Sequence, residues 1–189
     1  GPLLPVLATT SLLQQLRHDE EPSPLVLGLK MRIGGREVEV DVATYVRAEE
    51  RTAILGEVKT GSRIDGNDIN NLSFLQDRLR AQRIRSLLLF VTLKDRFSAE
   101  EVALLRDSVD RAAEVETTRG QLLPNVPLVL TGPDLSHHYW DKDHPWRWDN
   151  AYAGLFGLAI ESCKRNLGLI DYAHDSDVAG REFAFRWQQ

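Results

Sequence analysis

One cysteine, Cys163, stands in a chain of 189 residues. A lone thiol excludes an internal disulfide framework and a cysteine zinc cluster, and it fits the reducing interior of a cell, so a cytoplasmic location is expected. No run approaches the ~20 apolar residues that a membrane helix requires, and the first residues lack the basic and apolar regions of a secretory signal, so no membrane partner is expected. Positive charge is not in excess either. Lys and Arg number 23 against 28 Asp and Glu, a formal net charge of -5, which argues against a generally basic nucleic-acid binder but leaves room for local basic surfaces. Repeats, low-complexity tracts and interior linkers are lacking. An initiator methionine is also lacking: Gly1-Pro2 reads as the scar of a cleaved tag, so residues 3–189 are taken as a single domain cut from a longer parent protein. What is present, 42% hydrophobic and 27% charged residues, is ordinary globular composition for a domain of this length.

The periodicities alternate between helix and strand. Residues 9 to 18, TTSLLQQLRH, predict a short helix capped by Thr9 or Thr10. LVLGLKMRI and REVEVDVATYV follow as two strands joined at Gly34-Gly35, a strong hairpin signal; in the second, Val38, Val40 and Val42 take one face and Glu37, Glu39 and Asp41 the other. After a polar AEER turn comes TAILGEVKT, the third strand of a meander. DINNLSFLQDRLRAQRIR has helical spacing with Asp68 as N-cap, and SLLLFVTL reads as a strand buried on both faces, so the two make a crossover to a parallel neighbour. SAEEVALLRDSVDRAAEVE reads as one helix opened by a Ser98–Glu101 capping box, VPLVLTG as a further strand and AYAGLFGLAIESCKRNLGL as a last helix.

The third strand raises a question of chemistry. Side chains in a strand alternate, so Glu57 and Lys59 share a face while Gly56 and Val58 take the other. Ionised groups beside Ile54 and Leu55 need partners or a metal. One reading is an exposed salt-bridge set in which Glu57 and Asp41 pair with Lys59 or Arg47, worth about 0–1 kcal/mol. The other is catalytic: two carboxylates on neighbouring strands can hold Mg²⁺ next to a phosphate, and an ammonium beside them can stabilise developing charge, or act as a base if its pKa is depressed.

The order helix, three-strand meander, helix, strand, with Asp41 in the second strand and Glu57-x-Lys59 in the third, sixteen positions on, resembles the PD-(D/E)XK nuclease superfamily over residues 9 to 131. The resemblance implies an α/β restriction-endonuclease-like mixed sheet flanked by helices, here with an extra C-terminal strand and helix. It implies a deoxyribonuclease in which Asp41 and Glu57 bind Mg²⁺, with Mn²⁺ as a substitute, the Val58 carbonyl helps, and Lys59 assists the attacking water. A first-helix acid of the family would fall on Glu20 or Glu21. Glu39, on the face of Asp41, and Gln76, in the following helix, are additional site candidates beside plain surface readings. This chain departs from the frequent Pro-Asp context of the first acid, showing EVEVDV instead.

Arg78, Arg80, Arg83 and Arg85 read on their own as a solvated helix face; following the trio directly, they and Arg63 become candidates for phosphate contacts. The implied partners are DNA, further domains of a bacterial restriction or defence protein, and a second copy in a homodimer. The alternative is a nuclease-fold domain that binds nucleic acid or protein without cutting, and a third reading is an unrelated α/β regulatory domain. HHYWDKDH, residues 137 to 144, has metal-ligating side chains but no zinc spacing and reads as a polar loop; Trp140, Trp146 and Trp148 read as core or rim aromatics and Cys163 as core.

Overall fold

The computed structural model describes residues 24–46, 51–116, 120, 122–136, 155–174 and 183–189. The helix expected over residues 9 to 18, Glu20, Glu21, Arg47, the 137–144 segment and the three tryptophans beside it lie outside the described residues.

The hydrophobic alternation builds a mixed five-stranded sheet. β1 (Leu25–Ile33), β2 (Arg36–Val46) and β3 (Thr52–Lys59) form the antiparallel meander, and β4 (Ser86–Thr92) and β7 (Leu128–Leu130) add in parallel, giving the order β1-β2-β3-β4-β7. Gly34 and Gly35 turn the first hairpin at φ 59° and 83°, a left-handed pair that other residues adopt only with strain. β4 is buried along its whole length, as a parallel strand covered on both faces should be. The crossover from β3 to β4 is helix α1 (Gly66–Ala81), and α2 (Ala99–Val109) follows β4. Beyond β7 come the short α3 (Gly132–Ser136) and α4 (Leu155–Leu167), whose Phe156, Ala159, Ile160 and Cys163 are fully buried. No described helix is long and apolar enough to cross a membrane.

Two of the expected boundaries move. The helix expected to run through Glu116 ends at Val109, and Glu114–Glu116 instead forms β5, paired with β6 (Leu122–Pro124) as a separate ribbon. The chain turns there through Asp110–Arg111, and the Ala113 carbonyl accepts from Asn125 N–H at 2.7 Å, a long-range bond that a continuing helix could not make. The last helix stops at Leu167 because Gly168 adopts φ +73°, and the chain returns as a second ribbon of β8 (Leu169–His174) and β9 (Phe183–Trp187).

One buried ion pair anchors the loop that leaves the end of β3. Glu101 is fully buried in the first turn of α2. Its carboxylate accepts from Ile64 N–H at 3.0 Å, Ser98 N–H at 2.8 Å and the Lys94 ammonium at 2.9 and 3.1 Å. Burial alone would raise its pKa, but the bonds from Ser98, Lys94 and Ile64 outweigh burial and hold it down at about 2. Since the folded pKa is depressed, its contribution is present above the unfolded value near 4.5 and is lost as pH falls toward 2. Replacement by Ala strands the donors, so Glu101→Ala is expected to cost about 3 kcal/mol in urea unfolding at pH 7, with the deficit shrinking at pH 3. An equal deficit at both pH values would show that the charge is not what matters.

Candidate metal and catalytic site

β3 lies inside the sheet, with β2 on one side and β4 on the other. Ile54, Gly56 and Val58 are buried on one face, while Glu57 and Lys59 share the opposite face with Leu55. The β2–β3 ladder runs from Val46↔Thr52 to Val42↔Gly56 and then stops. Continued by one residue, that register would oppose Asp41 to Glu57. At that point the Asp41 carboxylate replaces a main-chain acceptor: its Oδ2 takes the Val58 N–H at 2.8 Å. Main-chain groups alternate in direction along a strand, so the Val58 carbonyl points the same way as its N–H, toward Asp41. The Lys59 carbonyl points the other way and accepts Leu93 N–H at 3.0 Å.

Lys59 ends the strand held between two acids. Its Nζ donates to Glu57 Oε1 at 2.6 Å and to Asp68 Oδ1 at 3.0 Å, and the three side chains are only 12–19% exposed. The salt-bridge reading of the sequence is therefore half right. Lys59 does pair with Glu57, but within one strand and largely out of solvent, and Asp41 takes an amide rather than a cation. Asp68 was expected to cap α1. The cap is Asp65, whose Oδ1 accepts from Asn67 and Asp68 N–H at 2.8 and 3.0 Å, while Asp68 Oδ2 returns to Asp65 N–H at 2.9 Å. Asp65 has the extended backbone that a cap requires, and Asp68, three residues on, completes the box with one oxygen and offers the other to Lys59. The D-x-x-D spacing just before an apolar run was the signal available for Asp68, which sequence reasoning missed as a site residue.

Two carboxylates thus hold one ammonium, and a third, Asp41, acts on Glu57. Burial above all, then the charges of Asp41 and Asp68, push the Glu57 carboxyl up to about 7 against the opposing pull of Lys59. Burial works against the charge of Lys59, but its bonds to Glu57 and Asp68 win and raise its pKa. Lys59 is accordingly a fixed cation, suited to stabilising negative charge and unsuited to taking a proton. Among the described residues, no three His, Cys, Asp or Glu side chains form a ready metal cage. Mg²⁺ asks for less, one or two carboxylates together with water and substrate oxygens. Asp41 Oδ1 and Glu57 Oε2 accept no hydrogen bond from a described residue, and the Val58 carbonyl points toward Asp41. This hard-oxygen set fits Mg²⁺ or Mn²⁺.

The other candidates scatter. Glu39 pairs with Lys30 at 3.2 Å in solvent. Gln76 donates to the Ser86 carbonyl at 3.3 Å, at the start of β4 and so at the opposite end of the strands from the trio; it is not brought to the site. Arg63 is paired with Glu100, and Arg80 with Asp77 at 3.1 Å. Arg83 sits in the turn after α1 at φ 60°, and the Arg85 carbonyl accepts Ala53 N–H at 3.0 Å. With Arg78, these last three are candidates for phosphate contacts; α1 starts at the site and runs away from it, so Arg78 and Arg80 stand in its last turn, ~15 Å further along the axis, and Arg83 and Arg85 beyond it. Arg78 alone of that cluster stacks on Phe74, 5.2 Å from the ring centroid. Cys163 is buried core, its thiol pKa raised by burial and its S–H directed at the Pro127 carbonyl at 3.3 Å.

The raised Glu57 pKa makes a signed prediction. Between the unfolded value near 4.5 and the folded value near 7 the native state holds a proton that the unfolded chain has lost, so stability falls as pH rises through that window. In EDTA, thermal unfolding is expected to show a loss on the order of 2 kcal/mol between pH 5 and pH 8, and Glu57→Gln is expected to flatten it. An undiminished slope in Glu57→Gln would assign the titration elsewhere. No family model, curated protein or solved structure matches this chain, so its chemistry has to be read from the residues themselves.

Proposed function

We propose that the chain is a metal-dependent nuclease domain that hydrolyses DNA phosphodiester bonds, built on a restriction-endonuclease-like core and acting as a module of a bacterial restriction or defence protein. The observation that carries this reading is the convergence of Asp41, bonded to the Val58 amide where β2 leaves β3, with the Lys59 ammonium held between Glu57 and Asp68. An inert sheet has no use for three carboxylates crowded to the point that one is pushed up to about 7. A site that receives a divalent cation does.

When bound, Mg²⁺ supplies charge stabilisation to the phosphoryl oxygens and a water acidic enough to attack near neutral pH. Asp41 and Glu57 would hold it through hard oxygens. The Val58 amide holds Asp41 Oδ2, so one oxygen is committed to the protein and the other accepts no hydrogen bond from a described residue. Lys59 stays protonated and places a positive charge where the pentavalent phosphorus gathers negative charge. Asp68 would hold that ammonium while Glu57 served the metal, because its second oxygen is locked in the α1 cap.

Removing Lys59 should separate chemistry from binding. Lys59→Ala is expected to lower single-turnover cleavage of duplex DNA by ~10²–10³ in Mg²⁺ or Mn²⁺, while Mn²⁺ and DNA still bind. Ca²⁺ is expected to support binding with little cutting. Equal cleavage by Lys59→Ala and wild type would sink the mechanism. A wild type that binds DNA but never cuts it, with any of these metals, would favour a nuclease-fold binding module instead.

A further inference from the structure

The trio with Asp68 repels its proposed substrate: the carboxylates of Asp41, Glu57 and Asp68 outnumber the one ammonium of Lys59 and leave negative charge where a phosphodiester must come. A polyanion therefore has to be held by cations outside the trio, and several cations are already engaged in ion pairs. Lys30 pairs with Glu39, Arg63 with Glu100, Arg80 with Asp77 and Lys94 with Glu101. Arg36 and Arg78 differ: both are exposed, and neither has a described carboxylate within 4 Å.

These two arginines are built into one unit. The Arg36 and Arg78 guanidinium carbons lie 5.0 and 5.2 Å from the centroid of the same Phe74 ring. Arg36 is further fixed by a 2.6 Å bond from Nη2 to Asn71 Oδ1, and Arg78 Nη2 lies beside the hairpin tip, 3.8 Å from where a methyl on Gly34 would stand. Phe74 is partly buried against the core, so the platform is anchored. Asn71, Phe74 and Arg78 follow one another at three- and four-residue spacing along α1, a stripe that begins one turn beyond Asp68 and extends ~15 Å from it. Cation–π stacking holds each guanidinium without consuming its charge, and leaves N–H groups to donate to phosphate oxygens.

We infer that Arg36, Phe74 and Arg78 form a phosphate clamp that holds the sugar–phosphate backbone of DNA along α1, leading it to the Asp41–Glu57–Lys59 site. This rests on DNA as the substrate of that site, and it separates the arginines by their partners: Arg78 and Arg36 grip the backbone from the Phe74 ring, while Arg80, in the same last turn, is paired with Asp77, and Arg83 and Arg85 lie past the end of the helix.

The test is equilibrium binding of a fluorescent duplex by anisotropy in Ca²⁺, as a function of salt. Arg36→Gln with Arg78→Gln is expected to weaken binding by at least tenfold and to flatten the log–log salt slope by about two. Phe74→Leu keeps both charges but releases the stack, so it is expected to weaken binding less and leave the slope nearly unchanged. Arg80→Gln with Arg83→Gln is expected to change the slope least. Thermal unfolding of each variant checks the fold, and Arg78→Gln alone serves if the double variant is unstable. A double variant, or a folded Arg78→Gln, with the wild-type slope overturns the clamp while leaving cleavage by the trio intact. A wild type that binds no duplex removes the clamp, and one that also cuts no DNA in Mg²⁺ or Mn²⁺ removes the nuclease reading with it.

Discussion

The Lys59 ammonium, shared between Glu57 and Asp68, is the contact around which this site is organised. Two ionised groups at the end of an interior strand would be costly if left alone, because burial penalises charge more than an exposed pair recovers. A third charge from another element resolves the cost for Lys59 but not for Glu57, whose carboxyl is pushed up to about 7. The arrangement is thus satisfied as to its cation and overfull as to its anions, the condition in which a divalent metal ion is welcome.

Several elements have to agree for that contact to exist. Asp68 can face Lys59 only because Asp65 starts α1 with a capping box that orients it. The loop between β3 and that cap is held by Glu101, which reaches from α2 to the Ile64 amide. Asp41 faces Glu57 because the β2–β3 ladder ends one pair earlier and a carboxylate takes over the next amide. α2, the loop and β2 therefore all bear on side chains they do not belong to, and disturbing any of them would loosen the site without touching its residues.

The meander, the crossover and the buried parallel strand were legible because their periodicities are strong: Val38, Val40 and Val42 alternate cleanly, and β4 is apolar throughout. The ribbons were not legible, since three-residue strands such as Glu114–Glu116 are made by pairing rather than by local pattern. At the site, strand alternation sufficed to put Glu57 and Lys59 on one face. Asp68 was hidden because capping chemistry explained it fully, and Arg36 because its significance arises from a stack with residues 35 and more positions away. Gln76, a candidate through the resemblance, and the arginines from Arg78 on are not gathered at the trio, because α1 runs from the trio toward the other end of the sheet.

The central claim is that the carboxylates of Asp41 and Glu57 together receive one divalent metal ion, and crystals soaked in Mn²⁺ test it most directly. The account predicts an anomalous peak ~2.0–2.3 Å from Asp41 Oδ1 and Glu57 Oε2, near the Val58 carbonyl, with Lys59 withdrawn from Glu57 onto Asp68. A soaked crystal with no peak there, and with Lys59 still bridging Glu57 and Asp68, would contradict it.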